Sequence, residues 1–565
     1  MFHSDGFFLI QEEKNFMSIH YNQVGYDPRL PKKAVLTGKG ERCMILSAAG
    51  QWYVPSKPGA ELPPESFDPV LSDPVFDEAS GDTVRAADFS ALTAPGKYFL
   101  IADGEKVTIT INEKPWHDLN KALVKGLYYQ RCGCALEEKH AGLWKHGVCH
   151  TGKATLVRDD GELDPNTVIE CAGGWHDAGD YGRYIAPAAV AVSHMLYSWE
   201  LFPQVFKDQL NIPESGNGVP DILNECRYEL EWMLKMQRAD GGLYHKVATR
   251  YFAKFIMPED DKDELWLFRV THCSTAAFVA STAQACRVYK KYDPAFAEKL
   301  LAAAKKAWAW LEANPDFTPF ENPPNLNSGA YGDKSCEDEL FWASCELYAV
   351  TGEEKYFAAM KRRVDKVDIC EFGWRETSGF GVLCCLFTMK DKLDKGFAAA
   401  LRERFLKGVD GFLALTKKSG YGTALAADNY IWGSILPIMN NGIAMILAKL
   451  LTGDSRYQEG AQNQLDYLLG VNATGYSFVT GFGEHSFRFP HHRPSYADGV
   501  DDPVPGLVSG GPNKVSPDGA GKMTIPPNTF PAKFYLDHTP TASSNEIAIY
   551  WNSPAIFVAA YFDSL

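Results

Sequence analysis

The pattern of apolar and polar residues changes character near residue 115. Before it, in residues 18–112, apolar residues occur in short runs that alternate with polar ones. The clearest run is 106–112 (KVTITIN), where Val107, Ile109 and Ile111 alternate with threonines, as expected of a strand with one buried face. Turn residues bound these runs, so the first part of the chain predicts a small β-sandwich.

Beyond residue 115 the apolar residues recur with the period of a helix. In residues 221–237, Leu223, Leu230 and Met233 share one helical face, which predicts an amphipathic helix. Similar patterns recur along the rest of the chain, near 116–136, 184–201, 272–291, 295–313, 336–351, 354–367, 396–415, 433–451 and 456–469. We expect a last helix with Ser553 as its N-cap, because Pro554 is tolerated at a first helical position.

These patterns divide the chain into two predicted domains, a β domain at 1–113 and a mainly α domain at 114–565. Runs typical of strands are scarce in the second part. The long connecting segments of this part are 150–180, 238–270, 314–335 and 472–545. They exceed the usual length of a loop, and long loops on a rigid helical frame are expected to carry the functional residues.

Composition and charge argue against several classes of protein. The 565 residues are 45% hydrophobic and 22% charged, as in folded globular proteins, and the net charge of −15 opposes binding to nucleic acid or to anionic lipid. No stretch approaches the roughly 20 apolar residues that cross a bilayer, and residues 1–16 lack the basic leader of a secretion signal. We therefore expect a cytoplasmic protein whose 13 cysteines are reduced or hold metal.

Three acidic residues are candidates for catalysis. In 173–184 (GGWHDAGDYGRY), Asp177 and Asp180 stand among glycines that let the backbone approach a ligand, and such a pair can hold one water. A calcium loop or helix-capping aspartates would give the same pattern. Glu546 stands just ahead of the predicted last helix. Because a helix N-terminus favours the ionised carboxylate, burial or a neighbouring carboxylate must prevail if Glu546 is a proton donor.

Four ordered stretches resemble glycoside hydrolase family 9, the cellulase family: 21–28 (YNQVGYDP), 173–184, 468–493 and 535–553. The resemblance implies a mainly α fold, an (α/α)6 barrel preceded by an immunoglobulin-like β-sandwich, and an inverting reaction. It also implies roles for the three acids, with Asp180 as the general base, Asp177 as its partner on the attacking water and Glu546 as the general acid. The family pattern places an aromatic residue where this chain has Ala542, a departure that bears on sugar contacts rather than on the acid.

The same resemblance suggests residues that bind the sugar. By position, His491 and Arg493 would bind sugar hydroxyls at the cleavage subsite. Trp432 lies in a loop that the family uses at its cleft, and Tyr430 and Trp551 are further candidates for stacking on sugar rings. For each of these three aromatic residues, a place in the hydrophobic core is an equally good interpretation.

A second constellation contains two cysteines and two histidines: Cys132, Cys149, His150 and His176. Such a set closes a tetrahedral zinc site, so the metal would be structural rather than catalytic. Family members with the immunoglobulin-like domain look similar here, and zinc at His176 would hold the loop of Asp177. The alternatives are Cys134 in place of Cys132, or buried thiols without metal. Calcium is also common in the family, with ligands that the sequence does not identify.

The leading hypothesis is an inverting hydrolase of short β-1,4-linked glucose oligosaccharides that trims one chain end inside the cell. The same mechanism would serve an exo-β-glucosaminidase on chitosan-type oligosaccharides, with whose cationic sugar the acidic net charge is compatible. A non-catalytic sugar-binding protein is a hypothesis of another class, although it has no need of three acids at these places. A zinc hydrolase is the third, and it would lose activity at once on chelation.

Overall fold

The structure is a computed structural model that describes residues 19–37, 42–48, 66–157, 166–515 and 518–565. Residues 1–16, on which the expectation about secretion rests, lie outside these ranges. Within them, the first domain is built from short strands: β1 Ile19–His20, β2 Lys33–Thr37, β3 Cys43–Ser47, β4 Ser66–Phe67, β5 Val70–Leu71, β6 Val75–Phe76, β7 Thr83–Asp88, β8 Gly96–Ala102 and β9 Glu105–Ile111. They form two sheets, one in the order β1-β2-β7-β5 with β6 also on β7, the other in the order β4-β3-β8-β9.

The alternating pattern of the sequence is realised in strand β9. Val107, Ile109 and Ile111 are buried, and β8 runs antiparallel beside them, with Leu100 opposite Val107 and Tyr98 opposite Ile109. These side chains pack with those of the other sheet in one hydrophobic core, since successive residues of a strand point to opposite faces. The predicted β-sandwich is confirmed.

The second domain is helical: α1 His117–Tyr129, α2 Glu138–Ala141, α3 Ile185–Leu201, α4 Asp221–Lys235, α5 His272–Tyr289, α6 Pro294–Ala313, α7 Glu337–Thr351, α8 Glu354–Lys361, α9 Ser378–Leu383, α10 Lys395–Lys418, α11 Ile435–Thr452, α12 Ser455–Leu468, α13 Arg493–Ala497, α14 Gly519–Thr524, α15 Ala542–Asn545 and α16 Ile549–Ser564. Helices α16, α3, α5, α7 and α9 pack together in succession and α11 packs against α16, so that these six form the inner ring, and α1, α4, α6, α8, α10 and α12 lie outside it. The predicted (α/α)6 barrel is confirmed.

Inner-ring helices are apolar on almost every side because they are covered on every side. In α16 every residue from Ile549 to Asp563 is buried. Helix α11 is, among the described helices, the one whose length and composition would also suit a membrane span, and 67% of its most apolar window is buried inside the fold. Its composition therefore has a sufficient explanation in the wall of the barrel.

The last helix begins earlier than the sequence predicts. Helix α16 starts at Ile549 rather than beside Ser553, and Pro554 lies inside it. The Ala548 carbonyl already accepts hydrogen bonds from the amides of Trp551 (3.0 Å) and Asn552 (3.2 Å). A proline within a helix costs about 3 kcal/mol, but burial of each large apolar side chain contributes about 1.5–3 kcal/mol. Packing in the inner ring therefore outweighs the proline signal.

The helical domain also contains a small sheet that the sequence does not predict. Its strands are β10 Lys153–Leu156, β11 Val168–Glu170, β12 Arg183–Tyr184, β13 Lys246–Ala248 and β14 Trp266–Leu267, in the order β11-β10-β14-β13-β12. Each strand has 2 to 4 residues, too few for alternation to be visible. The sheet fastens the long segments 150–180 and 238–270 to each other at the mouth of the barrel, where β12 directly follows the loop of Asp177 and Asp180.

Candidate active site

Three backbone bridges bring distant parts of the chain to one place. They join the glycine-rich loop and the 472–545 segment to residues 546–548, and the pairs are Ala178 with Ala548, His491 with Glu546, and Ser509 with Ile547. Residues 546–548 thus lie between other stretches of backbone, like the middle strand of a sheet. As a result, the negative charges of Asp177 and Asp180 act directly on Glu546.

The glycine-rich loop is shaped by contacts that exclude side chains. A Cβ on Gly179 would lie 1.8 Å from the carbonyl oxygen of His491, and one on Gly174 would lie 2.7 Å from the ring of Trp232. Gly174 also has a φ of +77°, in the left-handed region that glycine adopts without strain. Only glycine fits these places, so the backbone of the loop packs directly on its neighbours.

Asp177 is buried, with 1% of its surface exposed. One carboxylate oxygen, Oδ2, accepts a hydrogen bond from the hydroxyl of Tyr331, while Oδ1 has no hydrogen-bond partner among the described residues. Burial and the negative charge of Asp180 raise the pKa of Asp177, and the hydrogen bond from Tyr331 opposes this shift. The backbone of Asp177 is held as well, because its carbonyl accepts from the Ile549 amide at 2.9 Å.

Asp180 lies at the far end of the same turn and is 8% exposed. Its Oδ2 accepts a hydrogen bond from the Gly182 amide at 2.9 Å. This bond orients the carboxylate, because an ionised carboxylate has several acceptor sites and a backbone donor fixes one of them. The two aspartates thus differ in environment, one enclosed beneath Tyr331 and the other nearer to solvent.

Glu546 has the environment that a proton donor requires. Its side chain is partly buried, and burial together with the negative charge of Asp180 raises its pKa well above the usual range, while the nearby Arg493 acts in the opposite direction. Burial and a neighbouring carboxylate therefore raise the pKa of Glu546 by more than the N-terminus of the helix that begins at Ile549 lowers it. A carboxyl group of this kind remains protonated at a pH where an exposed glutamate is ionised.

Tyr331 is a site residue that sequence reasoning missed. It lies in the 314–335 segment, where no periodicity marks it, and it meets Asp177 across 154 residues of chain. Its φ of +47° is unusual for a bulky residue and costs about 1–3 kcal/mol. The ring packs against Tyr184 (centroids 4.7 Å apart) and Trp374 (4.9 Å), and this packing holds the hydroxyl on the carboxylate.

The two predicted sugar-binding polar residues lie beside the acids. His491 donates from Nδ1 to the Thr539 carbonyl at 2.7 Å, which leaves Nε2 as the acceptor in the neutral ring. Arg493 is 5% exposed and donates to the carbonyl oxygens of Ala253 and Gly179, both at 2.7 Å. In this structure Arg493 therefore fastens the aspartate loop, and its positive charge faces Glu546.

The three aromatic candidates have different surroundings. Trp432 is 46% exposed, whereas Tyr430 and Trp551 are each 2% exposed and belong to the hydrophobic core. The indole of Trp551 lies directly beneath the backbone of Gly433 and Gly510. Of the three, Trp432 is the exposed one and Tyr430 and Trp551 lie in the core, and the contact of each with a sugar ring stays a prediction.

The four predicted metal ligands converge on one point. One ligand atom from each of Cys132, Cys149, His150 and His176 lies within 4.8 Å of the others, and all four residues are buried. Cys132 is in this cluster, whereas Cys134, the alternative to it that the sequence left open, is not. Nε2 of His150 lies 3.2 Å from Asp261 Oδ2. Its Nδ1 is buried and has no hydrogen-bond partner among the described residues. A carboxylate that orients a histidine in this way is typical of zinc sites.

Three acidic residues that follow Tyr331 in the chain, Asp333, Asp338 and Glu339, lie close enough for their charges to interact. Both carboxylate oxygens of Glu339 are buried without a hydrogen-bond partner among the described residues, and so is Oδ2 of Asp333. Burial and the negative charges of Asp338 and Asp333 raise the pKa of Glu339 well above its usual range. Carboxylate oxygens are the ligands that calcium prefers.

Known proteins are similar to this chain in both of its domains. The sequence model of glycosyl hydrolase family 9 matches residues 116–559, and that of the cellulase N-terminal ig-like domain matches residues 15–107. Among characterised relatives, a cellodextrinase of Butyrivibrio fibrisolvens is 37% identical over 95% of this chain and 98% of its own. A xyloglucan-specific endo-beta-1,4-glucanase of Bacteroides ovatus is 34% identical over 97% of this chain and 94% of its own.

Solved structures are similar over nearly the whole chain. A metagenome-derived family 9 endoglucanase superposes with a TM-score of 0.88 at 36% identity, covering 97% of this chain and 99% of its own. AaCel9A in complex with cellobiose-like isofagomine gives 0.87 at 34% identity, covering 97% and 100%. A zinc-binding triple mutant of a family 9 endoglucanase gives 0.87 at 33% identity, covering 95% and 99%. The chain belongs to glycoside hydrolase family 9 and is a glycoside hydrolase with an N-terminal immunoglobulin-like domain.

Proposed function

We propose that the protein hydrolyses β-1,4-glycosidic bonds of glucose oligosaccharides with inversion at the anomeric carbon. The observation that carries the proposal is the meeting of Glu546 with Asp177 and Asp180 across the backbone bridges of residues 546–548. Inversion requires a protonated acid and an ionised base on opposite sides of the sugar, separated by roughly 6.5–9.5 Å so that a water fits between them. The raised pKa of Glu546 and the greater exposure of Asp180 match these two roles.

The chemical step follows from these assignments. Asp180 takes a proton from a water whose oxygen forms the new bond to the anomeric carbon, and Asp177 holds the same water from its other side. At the same time the bond from that carbon to the leaving oxygen breaks, and Glu546 gives its proton to that oxygen. Both products are neutral sugars, and the proton on Asp180 returns to Glu546 through solvent. Asp180, whose charge changes in this step, is the more exposed of the two aspartates.

The proposed substrates are short glucose oligomers, cut from one chain end within the cell. The substrate size is supported by the cellodextrinase relative and the linkage by the relative named as a xyloglucan-specific endo-beta-1,4-glucanase. Trp432, with 46% of its surface exposed, is the proposed stacking face for a sugar ring. His491, with Nε2 available beside the acids, is the proposed partner for a sugar hydroxyl.

A single set of incubations tests this proposal. Purified protein is given cellobiose, longer cello-oligosaccharides, xyloglucan oligosaccharides and chitosan oligosaccharides in parallel, and the first products are followed by NMR. We expect glucose or short cello-oligosaccharides whose new reducing end is the α anomer before mutarotation. Products from chitosan alone would favour the glucosaminidase alternative, a β anomer would exclude inversion, and binding without turnover would favour a sugar-binding protein.

For the metal, we propose structural zinc held by Cys132, Cys149, His150 and His176. The convergence of the four ligand atoms and the carboxylate behind His150 support it. With four protein ligands no position is left for substrate or water. Zinc would therefore act by fixing His176 and with it the backbone of Asp177, the next residue in the chain. Metal analysis of protein purified without chelators, together with the rate of inactivation by chelator, distinguishes this role from a zinc hydrolase.

We also propose calcium at the acidic group of Asp333, Asp338 and Glu339. The support is the two unpartnered carboxylate oxygens of Glu339, because buried like charges are stable only when a cation or protons compensate them. The segment of Asp333 follows Tyr331 directly in the chain, so a cation here would hold the segment that reaches Asp177. Titration of calcium into metal-free protein, followed by melting temperature, tests the proposal.

A further inference from the structure

The hydroxyl of Tyr331 has a second partner besides Asp177. The hydroxyl oxygens of Tyr331 and Tyr550 are 3.1 Å apart, and the two rings meet edge to face with centroids 6.0 Å apart. Tyr550 is buried, so the contact is shielded from bulk water. Neither the predicted site residues nor the proposed chemical step uses Tyr550.

The direction of these hydrogen bonds follows from counting protons. Each phenol has one proton, and an ionised carboxylate only accepts. When Asp177 is ionised, Tyr331 donates its proton to Asp177 Oδ2, and the contact of 3.1 Å between the two hydroxyls then has Tyr550 as the donor and the Tyr331 oxygen as the acceptor. A phenol that accepts one hydrogen bond donates a stronger one, and Tyr550 thereby strengthens the grip of Tyr331 on Asp177.

Tyr550 lies near both Glu546 and Asp177 and can link these two parts of the site. It is the second residue of helix α16 and follows Glu546 by four residues. The preceding residue, Ile549, donates its amide to the carbonyl of Asp177 at 2.9 Å. The first turn of this helix therefore reaches Asp177 twice, through its backbone directly and through its carboxylate by way of Tyr331.

The backbone before Tyr331 is also held, which leaves its hydroxyl little freedom to move. Lys246, fully buried, donates from Nζ to the Gly329 carbonyl at 2.5 Å, and His245 donates from Nε2 to the Ala330 carbonyl at 2.7 Å. These contacts keep Tyr331 at its positive φ. With the backbone fixed, Tyr550 and Asp177 decide the orientation of the Tyr331 hydroxyl.

We propose that Tyr550 is a positioning residue. It acts through Tyr331 to hold the carboxylate of Asp177 at a fixed place relative to the general acid Glu546, which lies four residues before Tyr550 in the chain. The inference rests on the proposed hydrolysis, since the carboxylate it positions is that of the water-holding pair. In this proposal the first turn of α16 fixes the position of Asp177, which holds the water, relative to Glu546, which donates the proton.

Two single variants and their combination test the proposal. Tyr550→Phe removes one hydroxyl and keeps the ring, and Tyr331→Phe removes the bond to Asp177 itself. We expect Tyr550→Phe to lower kcat about 10-fold with KM changed by less than about 2-fold, and Tyr331→Phe to lower kcat about 100-fold, as the loss of one and of a charge-assisted hydrogen bond would give. Because Tyr550 acts through Tyr331, the double variant should be no slower than Tyr331→Phe alone.

A matched control lies on the same helix. Tyr561 donates to Gln458 Oε1 at 2.9 Å and contacts none of the site residues, so Tyr561→Phe should keep the wild-type kcat. Melting temperatures are measured for all four variants, and Tyr550→Phe should melt within about 3 °C of the wild type.

Each remaining outcome counts against the proposal. Wild-type kcat in Tyr550→Phe, a double variant slower than Tyr331→Phe by the full factor of the single variant, or a fall in melting temperature that accounts for the lost activity would each overturn it. If the wild type itself hydrolyses none of the oligosaccharides, the proposed function fails instead, and the two failures are told apart before any variant is made.

Discussion

A methyl group on Gly179 would lie 1.8 Å from the carbonyl oxygen of His491. The contact joins the aspartate loop to the stretch of backbone that pairs with Glu546, and it leaves no room for any other residue at position 179. The Arg493 amide completes the junction by donating to the Gly179 carbonyl at 3.1 Å.

We expect Gly179→Ala to lower kcat by about 100-fold or more, since a displacement of about 1 Å at a catalytic group has that effect. The added Cβ must push the loop away from His491 and thus move Asp180 from the water. Steady-state kinetics checks the loss. Gly411→Ala is the control, because its Cβ meets nothing within 4 Å and alanine is favoured by about 0.5–1 kcal/mol within a helix. Equal kinetics in the two variants would contradict the role of the contact.

Asp180→Asn and Glu546→Gln are each expected to lower kcat on cello-oligosaccharides about 1000-fold or more, as the loss of a general base or acid does. They should differ on a dinitrophenyl cellobioside, whose leaving group needs no proton. Glu546→Gln should recover most of its activity there, and Asp180→Asn should not. Glu459→Gln, which changes a surface partner of Lys33, serves as the control. Recovery of Asp180→Asn instead would reverse the two assignments.

The raised pKa of Glu546 predicts a pH-dependent stability. Between the ordinary pKa of glutamate, about 4.3, and its raised value, the folded protein holds one more proton on this group than the unfolded chain. The free energy of unfolding therefore falls as pH rises through this window. Glu546→Gln lacks the titration, so its stability relative to the wild type should increase from pH 4 to pH 8. Urea unfolding at both pH values measures it, and an unchanged difference would refute the shift.

Zinc content should separate two neighbouring cysteines. Cys132 belongs to the group of four ligands and Cys134 does not. We expect Cys132→Ser to lose zinc and to melt at least about 5 °C below the wild type, with slower loss of activity than a catalytic metal would show. Cys134→Ser should keep stoichiometric zinc. Zinc loss from the second variant alone would transfer the ligand role to Cys134.

Calcium should stabilise the wild type by mass action, because an ion that binds the folded state alone raises the melting temperature. Glu339→Gln removes one of the proposed carboxylate ligands and is expected to abolish this rise. Glu353→Gln, at an exposed ion pair with Lys305, should respond to calcium as the wild type does. A rise that survives in Glu339→Gln would place the cation elsewhere.

The sequence predicts the sandwich and the helical domain because each leaves a local signal, whereas the (α/α)6 arrangement and the roles of the three acids are what the resemblance to glycoside hydrolase family 9 implies. The alternation around Val107 and Ile109 and the helical periodicity reflect burial of one face, which is decided within a few residues. The contact of Tyr331 with Asp177 leaves no such signal, since it spans 154 residues and depends on how two loops fold onto the barrel. The early start of α16 was missed for a related reason, because tertiary packing outweighed the local preference of Pro554.

The main-chain pairing of residues 546–548 has a consequence for divergence within the lineage of this chain. Side chains around the pairing can be exchanged one at a time, but the number of residues between the paired positions cannot change without turning Glu546 to the opposite face. Insertions and deletions should therefore be excluded from these few positions and accumulate in the outlying loops. New substrate preferences would then arise in the outlying loops, while the spacing between Glu546 and the two aspartates stays unchanged.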